Sequence, residues 1–134
     1  MKNITVQPSI TIRQAMKNLS LSGLKCLVIA DKANMLLGTL SDGDLRKAIL
    51  KGAAMGDSIK SIYQENPTVL IKGKYSLSNA KKLFLKHNFD LIPIVNEKGM
   101  LKDILFLESV LKNENNQQKE KVPRTEERKS QVAS

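Results

Sequence analysis

A hydroxyl and a carboxylate stand three residues apart at Ser41 and Asp44, in the segment Gly38-Thr39-Leu40-Ser41-Asp42-Gly43-Asp44. An ionised carboxylate is a charge-assisted hydrogen-bond acceptor. If a helix begins here, its first N–H groups suit an anion such as phosphate, and Arg46 or Lys47 could add to this. The pattern predicts binding of a small polar ligand, although an acid in a first helical turn and a serine at a strand end also occur for structural reasons alone.

Residues for catalysis or metal binding are sparse elsewhere. His87 is the lone histidine, near a predicted helix end, where histidine more often caps carbonyls than acts as a base. Cys26 is the only cysteine, and in its apolar run a thiol usually acts as a small buried hydrophobe. One His and one Cys far apart do not make a metal site, and neither phosphate-loop glycine pattern occurs. We therefore predict a non-enzyme with no catalytic residues, no metal and no required cofactor.

The elements that position Ser41 and Asp44 follow from hydrophobic spacing. A first helix is predicted because apolar residues recur at i, i+3, i+4 and i+7, after a capping box of Thr11 and Gln14. These apolar residues are Ile12, Ala15, Met16 and Leu19. A short strand over 4–6 precedes this helix. The apolar runs 26–30 and 35–40, separated by a turn over 31–34, predict two strands. Asp42 is a good N-cap for a second amphipathic helix that Gly52 ends, which gives the order β-α-β-β-α.

The sequence contains this unit twice, at an offset of 65 residues. Apolar residues coincide at fifteen of the 43 positions when 4–46 is aligned with 69–111. Shuffled sequences of this composition give about ten, so the order of the matched elements matters more than the count. The second copy is predicted as a strand over 68–71, a helix from Ser76 to His87, strands over 91–95 and 100–105, and a helical turn over 107–111. Gly99 occupies the turn position of Asn34, and residues 58–64 are predicted as a short connecting helix that ends at Asn66-Pro67.

Charge and composition restrict the class of protein. The net charge of +9 divides into +7 over residues 1–111, where 16 Lys/Arg face 9 Asp/Glu, and +2 over 112–134, where 6 face 4. The basic residues are scattered and aromatic residues make up 4%, so a solvated surface is favoured over a nucleic-acid face. No signal peptide or membrane-spanning run is evident, and a cytoplasmic location is predicted. Residues 112–134 are predicted to be a disordered basic tail.

Residues 1–111 resemble a tandem pair of CBS domains. The resemblance rests on the repeated β-α-β-β-α order, on Gly38 to Asp44 after the third strand, and on Pro93-Ile94-Val95-Asn96 in the second copy. The string from Leu37 to Arg46 is especially similar to CBS pairs attached to sugar-phosphate nucleotidyltransferases. The resemblance implies an α/β (layered α+β) fold, with two repeats packed around a pseudo-two-fold axis, and a cleft for AMP, ATP or S-adenosylmethionine.

The resemblance also implies a set of binding residues. Ser41 and Asp44 would face one ribose, the adenine would rest near Val28, and the segment 10–12 would lie opposite. Gly38 would let the backbone approach the ligand. The expected ligand-binding residues are Ser41, Asp44, Thr39, Gly38, Val28, Ile10, Thr11, Ile12, Arg46 and Lys47.

The second copy departs from this pattern. Asp103 stands where Gly38 stands, Phe106 where Ser41 stands, and Ser109 where Asp44 stands. A bulky residue at 106 is expected to fill the vacated pocket rather than to stack on a base. A second, weaker site would comprise Asp90, Pro93, Phe106 and Ser109.

The sequence thus predicts a ligand-sensing regulatory module of two repeats. They cover 1–57 and 58–111, with a connector over 58–67. A homodimer is expected, with a nucleotidyltransferase domain as a further partner, and no membrane or nucleic acid. The alternatives are a structural dimerisation module that binds no ligand and, less favoured, a nucleic-acid-binding protein.

Overall fold

The computed structural model describes residues 4–112, which form two sheets with two helices against each. The first sheet has the order β1-β2-β3-β4 and the second β5-β6-β7. The elements are β1 Thr5–Val6, α1 Ile12–Ser22, β2 Cys26–Ala30, β3 Leu36–Ser41, α2 Asp42–Leu50, β4 Gln64–Glu65, β5 Leu70–Ile71, α3 Leu77–His87, β6 Leu91–Val95 and β7 Leu101–Phe106. A final helix, α4, covers 107–112. The tail predicted over 112–134 lies outside the described residues, apart from Lys112.

The 65-residue repeat is present in the backbone. In the first sheet Cys26 pairs with Ser41, and in the second Leu91 pairs with Phe106. Both hairpins shift register at the end of the first strand. The turn residues Asn34 and Gly99 both have positive φ, at 68° and 88°, as their equivalent positions predict. Thr11 and Ser76 begin α1 and α3 with capping boxes, the first of which was predicted.

Three apolar clusters explain why the central strands are continuous apolar runs. One cluster lies between the first sheet and its helices, and one lies between the second sheet and α3 and α4. The third, here called the central cluster, lies between the sheets and comprises Ile4, Val28, Ala30, Leu91, Leu101 and Ile104, with Leu24, Cys26, Leu36 and Phe106 against it. In β2, Leu27 and Ile29 face the helices whereas Val28 and Ala30 face the other sheet. Both faces are therefore buried.

The two hairpins also meet at their turns. Met35 and Met100, which are equivalent positions, form an isolated antiparallel bridge. Leu36 N donates to Gly99 O at 3.1 Å, and Leu101 N donates to Asn34 O at 2.8 Å. Because each bond is the 65-residue image of the other, the pseudo-two-fold axis passes through this bridge.

The structure differs from two predictions about the connector and α1. Residues 58–64 form a single turn instead of a helix, with Ile62 N donating to Ile59 O, because the buried Ile59 anchors the chain and the following residues extend into β4. Met16 was predicted on the buried face of α1 but is 41% exposed. It lies at the edge of a face whose centre, Ile12, Ala15 and Leu19, is buried.

Candidate functional site

Ser41 and Asp44 are joined in a capping box at the start of α2. Ser41 Oγ accepts a hydrogen bond from Asp44 N at 3.0 Å, and Asp44 Oδ2 accepts from Ser41 N at 3.0 Å. The N-cap is therefore Ser41, and the prediction of Asp42 is wrong, because β3 stays extended through Ser41 and leaves it in the N-cap conformation. Asp42 is the first helical residue and pairs with Arg46 at 3.2 Å.

The second oxygen of Asp44 points toward the connector. Gln64 Nε2 donates to Asp44 Oδ1 at 3.2 Å in an exposed contact. The backbone bond to Oδ2 fixes the carboxylate, whereas the bond to Oδ1 comes from the end of a flexible side chain. The Asp44 carboxylate thus has one structural oxygen and one that solvent or a ligand can reach.

A cleft of about 500 Å³ opens in front of this capping box, between the two repeats. Its walls are the end of β3 with the start of α2, the start of β2, the connector around Pro67, and the segment that leads from α3 into β6. The lining residues are Lys25, Cys26, Thr39, Ser41, Asp42, Asp44, Gln64, Glu65, Asn66, Pro67, Thr68, Asn88, Phe89, Asp90, Leu91 and Pro93. Of the predicted primary set, Thr39, Ser41 and Asp44 lie here together.

Asp90 and Pro93, predicted for a separate second site, line this same cleft. Asp90 Oδ2 accepts a hydrogen bond from Lys25 N at 3.0 Å, across the repeats. The pseudo-two-fold axis places the start of β6 beside the start of β2, so that each repeat contributes one wall. These two residues therefore line the same cleft as Ser41 and Asp44, and their assignment to a second site stays a prediction.

Gly38 does not line the cleft. A Cβ added at Gly38 would collide with the carbonyl oxygen of Gln64 and lie 2.6 Å from Cδ1 of Tyr63. The close backbone approach expected of a ligand is made instead by β4, which pairs with β3 at this point. Gly38 is required for the sheet, so its lack of a side chain is explained without a ligand, and its contact with ligand stays a prediction.

The apolar residues predicted around an adenine also lie away from the cleft lining. Val28 and Ile12 are fully buried, the former in the central cluster and the latter under α1. Thr11 caps α1 and bridges to Ser58, and Ile10 packs beside the same helix core. Since β2 is buried on both faces, Val28 has no surface to offer a ligand.

The predicted basic residues are exposed on α2. Neither Arg46 nor Lys47 lines the cleft, and Arg46 is engaged with Asp42. Lys25, which sequence reasoning missed, is the basic residue among those that line it. Its position directly before a buried strand, 65 residues from Asp90, is the sequence signal that could have identified it.

In the second repeat, Phe106 packs against the central cluster and pairs with Leu91. Its half-buried ring supports the pocket-filling role over base stacking. Ser109 is exposed on α4. Neither residue lines the described cleft, although Leu107 N donates to Asp90 O at 2.9 Å and keeps the start of α4 beside Asp90. The weaker second site stays a prediction.

Cys26 and His87 were not expected to take part in catalysis, and the structure shows the surroundings of each. Burial raises the pKa of the Cys26 thiol from 9.0 to about 12, and the negative charges of Asp44 and Asp90 contribute to the rise. His87 does not cap α3. Its ring stacks on Phe89 with centroids 4.9 Å apart, while Asn88 in left-handed conformation ends the helix.

Within residues 4–112, no helix is long and apolar enough to cross a membrane. In the same range, no group of three or more potential ligand side chains is arranged for a metal ion.

Comparison with known proteins shows what this chain is similar to. Residues 1–51 match the family model of the CBS domain. CBSX2 from Arabidopsis thaliana superposes with a TM-score of 0.74 at 25% identity, over 88% of this chain and 90% of that one. The fold is that of a CBS-domain pair. CBSX2 in complex with AMP superposes with a TM-score of 0.73 at 26% identity, over 87% of this chain and 91% of that one.

The curated relatives are longer chains than this one. An uncharacterised protein of Helicobacter pylori is 26% identical over 106 residues, which are 79% of this chain and 32% of the relative. The arabinose 5-phosphate isomerase GutQ of Salmonella typhi is 26% identical over 98 residues, which are 73% of this chain and 30% of GutQ. This chain thus spans about a third of the length of these relatives.

Proposed function

We propose that this CBS pair is a regulatory module that binds an adenosine-type ligand, of the AMP, ATP or S-adenosylmethionine class, in the cleft between its repeats. The observation that carries the proposal is the convergence of Ser41 and Asp44 on one wall of that cleft. CBSX2, at 26% identity, has been solved with AMP, which supports the ligand class.

A ribose would bind at Asp44 by replacing the hydrogen bond from the Gln64 side chain. One of its hydroxyls replaces Gln64 Nε2 at Asp44 Oδ1, while Oδ2 keeps its bond to Ser41 N and holds the carboxylate in place. A hydroxyl donating to an ionised carboxylate forms a charge-assisted bond, stronger than the 3.2 Å amide contact that it displaces. The ligand would then contact Asp90 and Pro93 on the opposite wall, so occupancy would couple the two repeats.

The proposal includes one binding site. Phe106 and Ser109 replace the hydroxyl and the carboxylate in the second repeat, which leaves that repeat an architectural role. We retain the division into repeats over 1–57 and 58–111, with the connector residues 64–65 paired to the first sheet.

The decisive experiment is thermal denaturation with AMP, ATP, S-adenosylmethionine, CTP and GTP. An adenosine-type ligand at a hundredfold excess over Kd is expected to stabilise the wild type by about 2.7 kcal/mol. Asp44→Asn is the variant of choice because an amide oxygen can still accept from Ser41 N, as Asn79 does from Ser76 N in the capping box of α3. It is expected to fold normally and to lose most of the ligand-induced shift.

Asn79→Ala provides the matched control. It disrupts an equivalent capping box far from the cleft and should lower the melting temperature while leaving the ligand-induced shift intact. If Asp44→Asn binds adenosine ligands as well as the wild type, the site assignment is wrong. If no nucleotide shifts the wild type, the chain is instead a structural dimerisation module. Affinity for nucleic acid that falls steeply with salt and does not depend on Asp44 would favour the third alternative.

The partner proposals rest on the relatives. GutQ acts on a sugar phosphate, which supports a sugar-phosphate enzyme, such as a nucleotidyltransferase, as the regulated partner.

We propose that the chain works in the cytoplasm as a non-catalytic homodimer. Leu50, Leu85 and Leu21, which are 81%, 72% and 62% exposed on the helices, support self-association. Sedimentation of the wild type and of Leu50→Lys tests the dimer: a wild type that sediments as a monomer contradicts it.

A further inference from the structure

The charge of the cleft is opposite to that of the chain. Residues 1–111 are net basic, yet the cleft is lined by Asp42, Asp44, Glu65 and Asp90 against Lys25. We propose that the cleft selects adenosine-type ligands by charge, and that it prefers a neutral or cationic arm, such as the sulfonium of S-adenosylmethionine, over the phosphates of AMP and ATP. This inference rests on the proposed function and narrows its ligand class.

Three of the four carboxylates have no ionic partner within residues 4–112. Asp42 is paired with Arg46, and a second salt bridge joins Lys74 to Glu97, away from the cleft lining. Within residues 4–112, no Lys, Arg or His therefore pairs with Asp44, Glu65 or Asp90. Three carboxylates and one ammonium give the cleft a negative potential, which repels phosphate and attracts a cation.

Asp44 and Asp90 act on the same volume from opposite walls. Asp44 is fixed by Ser41 N, and Asp90 is fixed by Lys25 N. Cys26 also lines the cleft, and both carboxylates help to raise the pKa of its thiol. A ligand arm that reaches this region is therefore exposed to two negative charges at once.

The start of α2 does not offset this repulsion. The N–H groups of Asp42 and Asp44 are already bonded to Lys25 O and Ser41 Oγ. Two carboxylates, those of Asp42 and Asp44, stand in the first helical turn and counter the positive end of the helix dipole. The phosphate-binding role that the sequence suggested for this helix end is thus disfavoured.

The test compares ligands that differ mainly in charge, by calorimetric titration of the full chain. S-adenosylmethionine and S-adenosylhomocysteine differ by one methyl group and one positive charge, and adenosine, AMP and ATP form a series of rising negative charge. We expect S-adenosylmethionine to bind about tenfold more tightly than S-adenosylhomocysteine, and adenosine to bind more tightly than AMP or ATP. Raising the salt concentration should reduce both differences.

A matched pair of variants assigns the effect to the cleft. Asp90→Asn keeps an oxygen for Lys25 N but removes the charge, and it should lower the affinity ratio of the two adenosyl compounds several-fold. Asp57→Asn is the control, because Asp57 is an exposed carboxylate outside the cleft lining whose Oδ2 likewise accepts from a backbone N–H, that of Ala54, at 2.8 Å. It should leave the ratio unchanged.

The outcomes separate this inference from the proposed function. If AMP or ATP binds more tightly than adenosine, or if the two adenosyl compounds bind equally, charge selection is wrong while adenosine sensing stands. If none of the five compounds binds, the proposed function fails and the inference fails with it. Equal effects of Asp90→Asn and Asp57→Asn would also overturn charge selection by the cleft.

Discussion

The two repeats share one backbone and differ in chemistry. Their hairpins have the same register and the same shift, and their first helices start with the same type of cap. Yet the first repeat carries Ser41 and Asp44 at the start of its second helix, where the second carries Phe106 and Ser109. The apolar positions that build the fold are thus separable from the few polar positions that form the candidate site.

A second feature of the first repeat is the strand β4. The connector pairs with β3 at Gly38 and Thr39, which makes the first sheet four-stranded, whereas the equivalent positions after the second repeat, 129–130, lie outside the described residues. This strand also carries Gln64, whose side chain contacts Asp44. The same short segment therefore accounts for the glycine at 38 and for one edge of the cleft.

The largest expected effect is at the equivalent positions Gly38 and Asp103. Gly38→Ala should cost about 3 kcal/mol of unfolding free energy, because its Cβ would meet the backbone of Gln64. Asp103→Ala should cost no more than about 1 kcal/mol, since Asp103 is exposed and its carboxylate only accepts from Ile104 N. Urea denaturation of both variants measures this, and similar losses would contradict the role of β4.

The next pair is Phe106 and Ser41, which occupy the same place in the two hairpins. Phe106→Ala should cost about 2 to 3 kcal/mol, because it removes a half-buried ring from the central cluster. Ser41→Ala should cost about 1 kcal/mol through loss of the N-cap, and it should also weaken ligand binding. Calorimetric unfolding of both variants measures these losses. If Phe106→Ala does not lower the free energy of unfolding, the ring does not fill the space between the sheets.

Cys26 gives the first repeat a pH dependence that Leu91, its counterpart, cannot give the second. The pKa of the folded thiol is about 12, against 9.0 for an unperturbed thiol. The stability that this shift contributes is fully present below about pH 9 and is lost as the pH rises toward 12. Between pH 8 and 10 the wild type should lose about 1 kcal/mol more than Cys26→Ala. If the free energy of unfolding of the two proteins changes equally between pH 8 and 10, the raised pKa of Cys26 is contradicted.

The smallest difference is expected between the caps of α1 and α3. Thr11→Ala and Ser76→Ala each remove the acceptor for one N–H group and should each cost about 1 kcal/mol. The two losses should agree within about 0.5 kcal/mol, since the caps have the same geometry. A clearly larger loss for either variant would contradict the equal strength of the two caps.

Local elements were predictable because local rules determine them. The 3.6-residue spacing with a capping box gave α1, the apolar runs gave β2 and β6, and the period of 65 gave the turn at Gly99. Met16 shows where spacing alone becomes ambiguous, since a residue at the edge of an apolar face can point outward. The short polar strand β4 has no hydrophobic pattern and could not be foreseen.

The composition of the cleft was predictable only in part, because it depends on how the repeats pack. Ser41 and Asp44 could be identified from sequence because they are three residues apart, and this is the spacing of the two side chains in a capping box. Asp90 and Lys25 are far apart in sequence, and only the packing of the repeats brings one wall of the cleft to the other. Val28 could not be placed from sequence, since a strand buried on both faces does not indicate which face each side chain takes.

The bridge between Met35 and Met100 also bears on how such a chain could have arisen. A single β-α-β-β-α unit would expose one apolar sheet surface and leave a hairpin tip without its hydrogen-bond partner. Two identical units related by a true rotation axis would satisfy both needs at once, with Met35 of each chain meeting its own copy. Gene duplication and fusion of such an ancestor would preserve that meeting point and free one half to diverge, as Phe106 has done.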